Sequence, residues 1–233
     1  MAMRPGTEQK LLDAAEELFF TRGIAATPID AVLERAGISS ATLYRGYASK
    51  EALVAAALRR RHDDWLATWD RVVAAAPDDR SRLLSVFDAL DAYRTTPAGS
   101  RWCAFLGTAA EYVDAPDDVR AVLDLESGTL RRRLHGYAGS LLGEPDEGAA
   151  AALADQLVLV VSGYLAMRLR DPALGTETAR AVAAVLVDEA GAAAAGPEAA
   201  ADPATAADPA AAADPAVVSA TAARPARPAA RDR

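Results

Sequence analysis

The 233-residue sequence predicts an all-α protein, on three observations. Apolar residues recur at helical spacing along most of the chain, and strand-like alternation between turns is nearly absent. Gly, Pro, Ser, Thr and Asp stand where helices of bundle length need caps and stops. The expected architecture has about nine helices: an N-terminal three-helix head, a long connecting helix and a C-terminal helical body. The head occupies residues 1–50, the body 51–191, and an Ala/Pro-rich tail 192–233.

The first helix runs from Thr7 to Arg22, with Leu11, Leu12, Ala15, Leu18 and Phe19 on one stripe and Gly23 as its stop. Thr27 is placed as the N-cap of a second helix, with Pro28 at its first position; Ile29, Val32, Leu33 and Ala36 face inward and Gly37 ends it. Ser39 caps a short third helix that turns Leu43 and Tyr47 inward, and Ser49 caps a long fourth helix over residues 50–75. Further helices follow at 78–94, at a short segment with Trp102, Phe105, Leu106, Ala109 and Tyr112, and at a long element entered at Asp117 and Asp118. Two Ala/Leu/Val-rich helices, about 146–170 and 174–191, close the body. In residues 192–233 half of the side chains are Ala and Asp-Pro recurs at Asp202, Asp208 and Asp214, a composition that predicts a disordered tail.

Composition narrows the function. A formal net charge of −8 argues against non-specific coating of nucleic acid, yet residues 1–50 carry six basic and six acidic side chains, which leaves room for a local DNA-reading surface. One cysteine, Cys103, excludes an internal disulfide, and with only His62 and His135 beside it no zinc spacing can be built, so neither metal nor cofactor is expected. No uninterrupted run of eighteen apolar residues and no secretory signal is found, so the expected compartment is the cytoplasm, with no membrane partner. No nucleophile-base pair or phosphate-cradling loop suggests an enzyme.

The stretch "AGISSATLYRGYASKEAL", residues 36–53, carries the chemistry. Gly37 allows a sharp turn between two short helices, which is helix-turn-helix geometry. Leu43 anchors the second of them and leaves Ser40, Ala41, Thr42, Tyr44 and Arg45 outside. Short polar residues there suit base edges, Arg45 suits bidentate reading of guanine, and Lys50 opens the next helix, where a phosphate is also attracted.

Residues 10–58, in the order Arg-Gly, Thr, "ERAGIS", "TLY", "SKEAL", resemble the tetracycline-repressor-like (TetR) transcriptional regulators. The resemblance implies a head that binds double-stranded operator DNA as a homodimer and an all-helical body that binds a small-molecule effector. By matching position it implies backbone contacts from Thr27, Thr42, Tyr44 and Lys50, and a base-proximal set of Ser40, Ala41 and Arg45, with Ser39 and Tyr47 at the two ends of the reading helix. Two positions depart from the pattern: Gly46 stands where His or another polar or aromatic residue is common, and Tyr47 replaces the usual Phe. Gly46 removes a possible phosphate contact and lowers helix propensity by roughly 1 kcal/mol relative to Ala.

In the body, Trp65, Trp69, Phe87, Tyr93, Trp102, Cys103, Phe105, Tyr112, Glu126, His135 and Tyr164 are the candidate effector-pocket residues, with ordinary core as the competing reading for the aromatics. Glu126 interrupts the stripe Val119, Val122, Leu123, Leu130, Leu134; it either orients a ligand or edges into solvent, and His135 carries the same two readings. Cys103 is read as a buried thiol or a redox sensor. For the homodimer the candidate surface is Leu153, Leu157, Val160, Val161, Tyr164 and Arg168, with Val182, Val185, Leu186 and Glu189. The expected function is a ligand-released repressor; the alternatives are a dimeric adaptor without DNA binding and an all-helical enzyme.

Overall fold

The computed structural model describes residues 3–96, 103–143 and 147–195. These residues lie in one compact unit, Met1–Ala199; a second, Ala200–Arg233, falls outside the described residues, as does nearly all of the stretch read as a disordered tail. Among the described residues there are nine helices and no strand: α1 (Pro5–Arg22), α2 (Ile29–Ala36), α3 (Ser40–Gly46), α4 (Lys50–Ala74), α5 (Asp79–Arg94), α6 (Ala104–Glu111), α7 (Asp117–Leu142), α8 (Glu147–Arg168) and α9 (Glu177–Ala195).

The capping chemistry explains most of these boundaries. The Ser39 side chain accepts from the Thr42 amide, Ser49 from Ala52, and Asp78 from Ser81, each satisfying a first-turn N–H that the helix itself leaves open. Gly37 ends α2 in the left-handed region (φ 67°, ψ 38°), and the Ile38 amide reaches back to the Leu33 carbonyl, so the chain reverses into α3 within three residues. Three expectations need correction. α1 begins at Pro5, before Thr7, because Pro at the first position tolerates the missing amide partner. Thr27 does not cap α2; Pro28 takes that position, and the Thr27 hydroxyl donates instead to the carbonyls of Gly23 (2.7 Å) and Leu18 (3.2 Å). At the other end, α9 continues to Ala195, past the boundary placed at 191.

Two apolar clusters organise the unit. The first gathers α1, α2 and α3 around Leu11, Phe19, Val32 and Leu43, and it extends into the body through Leu53 and Leu58 of α4, Phe105 of α6, and Val119 and Val122 of α7. The second lies wholly in the body, around Trp69, Leu83, Phe87, Leu134, Leu153 and Leu157. α4 therefore contributes its first half to one cluster and its second half to the other. Polar links reinforce the joint. Arg60 of α4 pairs with Glu16 (2.5 Å) and Asp13 (2.9 Å) of α1, and Glu111 at the end of α6 accepts from the amides of Ile24 (3.0 Å) and Ala25 (2.6 Å) beyond α1.

The segment Gly148–Arg168 is long and apolar enough to cross a membrane by length and composition, and about a third of it is buried within the unit. Its apolar character is not an unbroken run: the adjacent polar pair Asp155 and Gln156 interrupts it.

Candidate functional site

The exposed face of the head is built on α3. Leu43 is fully buried and pins the helix, while Ser39, Ser40, Ala41, Tyr44 and Arg45 are exposed and Thr42 is half-buried. Their side chains are pre-ordered by one another: Arg45 donates to the Thr42 hydroxyl (3.0 Å), which lies 3.0 Å from that of Ser39. A hollow of about 430 Å³ separates this edge from the start of α1 and is lined by Arg4, Thr7, Ser39, Thr42 and Arg45, among others. Arg4 was missed by the sequence reading; its signal was its place immediately before the Pro that opens α1.

Three members of the DNA-binding set are placed differently from expectation. Thr27 is 1% exposed and its hydroxyl is committed to carbonyls inside the head, so a side-chain contact with a phosphate does not follow from its position. Tyr47 is half-buried and donates to the Glu8 carboxylate (2.9 Å); burial, together with that carboxylate, pushes its phenol well above the ordinary range. Lys50 folds its ammonium over the Phe19 ring and donates to the Ile24 carbonyl (2.5 Å), which leaves two of its three N–H donors for another acceptor. Gly46 is exposed at the end of α3, and a Cβ there would meet the Met3 methyl at 2.7 Å, the tip of a flexible side chain.

In the body, a cavity of about 70 Å³ opens among α4, α5, α6, α7 and α8. Of the predicted pocket residues it brings together Trp65, Tyr93, Cys103, Phe105 and Glu126. A neighbouring cavity of about 140 Å³ shares Cys103, Phe105, Glu126, Leu130 and Leu165 with it. Glu126 thus stands where the two adjoin, half-buried, and burial pushes its carboxyl up to about 7. Burial likewise pushes the Cys103 thiol up to about 11, which favours the protonated thiol at neutral pH.

The remaining pocket candidates lie elsewhere. Trp69 and Phe87 are fully buried core, with the Trp69 indole N–H donating to Ser85 (3.0 Å). Tyr112 is the C-cap of α6 and packs on the head-side cluster. Tyr164 is buried with its hydroxyl toward the Leu174 carbonyl, and His135 is half-buried on α7; neither lines the two cavities. Trp102 lies outside the described residues.

The reading missed the arginines. Arg61 (5% exposed) and Arg168 (6%) both line the main cavity, with Arg94 beside them. The Arg61 guanidinium sits 5.4 Å from the ring centroids of both Phe20 in α1 and Tyr93 in α5, and 3.9 Å from the Glu16 carboxylate. One side chain therefore touches the head helix and the cavity together. Arg168 had been assigned to the partner surface, as had Leu153, Leu157, Val161 and Tyr164; all five are buried within the subunit. α8 is apolar nearly all round, so its periodicity could not choose the inward side. Val160 and Leu186 are half-buried, whereas Val182, Val185 and Glu189 do face out, alongside Leu159 (73% exposed) and Met167.

Residues 11–57 match the family model described as bacterial regulatory proteins, tetR family. Over 99 residues the chain is 34% identical to the HTH-type transcriptional repressor KstR2 of Rhodococcus jostii (strain RHA1), a match covering 41% of this chain and 48% of that protein. Over 80 residues it is 35% identical to the HTH-type transcriptional activator FasR of Mycolicibacterium smegmatis, covering 34% of this chain and 36% of that one. The chain therefore spans about half, or less, of the length of these curated relatives. Its fold is similar to that of SCO4454, a TetR-family transcriptional regulator from Streptomyces coelicolor, with a TM-score of 0.70 and 26% identity over 81% of this chain and 98% of that one. These relatives are named as regulators of transcription, in keeping with the reading that the chain is not an enzyme.

Proposed function

We propose, from the premise that the chain belongs to the tetR family of bacterial regulatory proteins, that it is a cytoplasmic, homodimeric repressor released from operator DNA by a small molecule. The observation that carries the DNA-binding part is the exposed edge of α3, where Ser40, Ala41, Tyr44 and Arg45 stand out from a helix pinned by a fully buried Leu43. Such a helix fits a major groove, with Arg45 toward a guanine edge and Tyr44 and Lys50 toward phosphates.

Two observations support a ligand response. The body cavity is lined by apolar side chains with a few polar groups, the usual make-up of a small-molecule site. It also shares material with the head: Arg61 lines the cavity and reaches Phe20 and Glu16 of α1, and α6 runs from the cavity-lining Ala104 and Phe105 to Glu111, which holds the loop after α1. A ligand that repositions either element changes how the head is held. It releases DNA only if it binds the released arrangement more tightly than the DNA-bound one.

The dimer forms through the outward apolar side of α8 and α9, where Leu159, Met167, Val182 and Val185 are exposed. Two such helix pairs form a four-helix interface about a two-fold axis, which sets two heads on successive major grooves. Gel shift on the promoter beside the chain's own gene, with and without candidate ligands, tests this reading. A retarded band that is lost with ligand is expected; a ligand that strengthens the band overturns the sign of regulation, and no specific band in any condition favours a helical adaptor.

A further inference from the structure

We propose, building on the ligand-responsive reading above, that the cavity takes an organic acid, with its carboxylate on Arg168 and a small apolar or aromatic body against Trp65, Leu130 and Leu165. Arg168 is 6% exposed, faces the cavity from α8, and its Nε is buried without a hydrogen-bond partner among the described residues. A guanidinium stays charged at physiological pH, and burying one of its N–H donors without an acceptor is costly. A carboxylate supplies the planar, two-oxygen acceptor that such a fork matches best.

The other charges around the cavity select the same ligand. Arg94 is already engaged, donating to the Leu174 carbonyl at 3.2 Å and lying 3.9 Å from Asp91. Arg61 is held by Glu16 and by the Phe20 and Tyr93 rings. Both are engaged within the fold, which leaves Arg168 as the guanidinium offered to a ligand's oxygens. Among the described residues the carboxyl lining the cavity is Glu126, and its burial raises it to about 7, so that near neutral pH a large share is protonated and able to donate a hydrogen bond. An amine brings a second cation to Arg168 and no acceptor for its Nε, and a neutral hydrocarbon would also leave that Nε without an acceptor. The apolar remainder of the lining, including Leu90 and Val161, rewards a hydrophobic body, and the adjoining cavity past Phe105 gives it room to extend.

The test uses the full chain and needs no DNA. Thermal shift and titration calorimetry at pH 7 are run with a series of acids (butyrate to decanoate, benzoate, phenylacetate, indole-3-acetate), each beside its primary amide and primary amine. At least one acid is expected to stabilise the protein, with its amide and amine binding at least tenfold more weakly. Arg168→Gln is expected to weaken that acid at least tenfold, and Arg168→Lys, which keeps the charge, to recover part of the loss. The acid-against-amide comparison on the wild-type chain decides the matter even where a variant fails to fold. Stabilisation by no acid, equal binding of amides or amines, or undiminished acid binding by a folded Arg168→Gln protein overturns the proposal. Operator release is scored separately: an acid that binds without releasing DNA refutes the ligand-responsive reading while leaving the ligand class standing.

Discussion

Removing the Glu111 carboxylate tests whether the body holds the head through α6. In the structure its two oxygens accept from the amides of Ile24 and Ala25, at 3.0 and 2.6 Å, in the loop that separates α1 from α2. Hydrogen bonds to a charged acceptor contribute about 1.5–3 kcal/mol each, but the Ala25 amide is exposed and water replaces its partner at little cost. The Ile24 amide is partly buried and loses more. Glu111→Ala is therefore expected to cost about 2 kcal/mol in all, mostly through Ile24. For a unit of this size that lowers Tm by roughly 4–8 °C if the whole unit unfolds together. The local readout is sharper. Hydrogen exchange at the Ile24 and Ala25 amides is expected to accelerate, by roughly 30-fold where the full 2 kcal/mol is expressed in local opening. Glu111→Gln, which keeps one acceptor without the charge, is expected to fall between. Wild-type exchange at both amides, with Tm moved by less than about 1 °C, would refute this account of the α6 contact.

Gly23→Ala is expected to destabilise by about 1–2 kcal/mol in chemical denaturation, because φ is +94° there and the added Cβ lies 3.4 Å from the same Glu111 carboxylate. Gly46→Ala is expected to be neutral or to stabilise by up to about 1 kcal/mol by thermal melt, since only the mobile tip of Met3 must move and helix propensity improves. Glu126→Gln is expected to stabilise the protein above pH 7 by at most about 3 kcal/mol and to have little effect near pH 4.5. The sign follows from a folded carboxyl raised from 4.5 to about 7: above 7 the ionised form bears the full burial penalty, and as pH falls the folded state takes up the proton first and the penalty is relieved. The groups around it are Arg61, Tyr93, Arg94, Cys103 and Arg168, and buried His62, whose pKa is lowered by desolvation, gives an opposite slope below 6.5, so the difference between wild type and variant is the quantity to measure. Leu159→Glu combined with Val185→Glu is expected to shift a dimer to monomer in sedimentation, while Leu153→Glu is expected to unfold the body because that side chain is buried within the subunit.

The head was readable because its signals are local. Gly37, Ser39 and Ser49 act on their own neighbours, and the structure places the turn and two caps where the sequence put them. Thr27 was misread for the same reason: its local position suits a cap, but its hydroxyl is claimed by the carbonyls of Gly23, the C-cap of α1, and of Leu18 within α1, four and nine residues back. In the body the gap in the α7 stripe at Glu126 did mark the cavity, since an ionisable residue between Val122 and Leu130 leaves the core open there. The buried arginines were not legible. Arg61 and Arg168 lie on inward helix faces, but a guanidinium is read as solvent-seeking until the partners across the fold, Glu16 and two rings for Arg61, are known. The orientation of α8 was hidden by too much signal, with Leu, Val and Ala on almost every side.

The central claim is that the α3 edge reads a two-fold DNA site, and selection of bound duplexes from a random pool, followed by fluorescence anisotropy on the recovered sequence, tests it most directly. The account predicts an enriched pair of inverted half-sites. Arg45→Ala should lose roughly 1–3 kcal/mol of affinity with relaxed preference at one base position, and Lys50→Ala should weaken all sequences alike with a flatter salt dependence. No enrichment of any duplex, or an enriched site bound equally well by both variants, would contradict it.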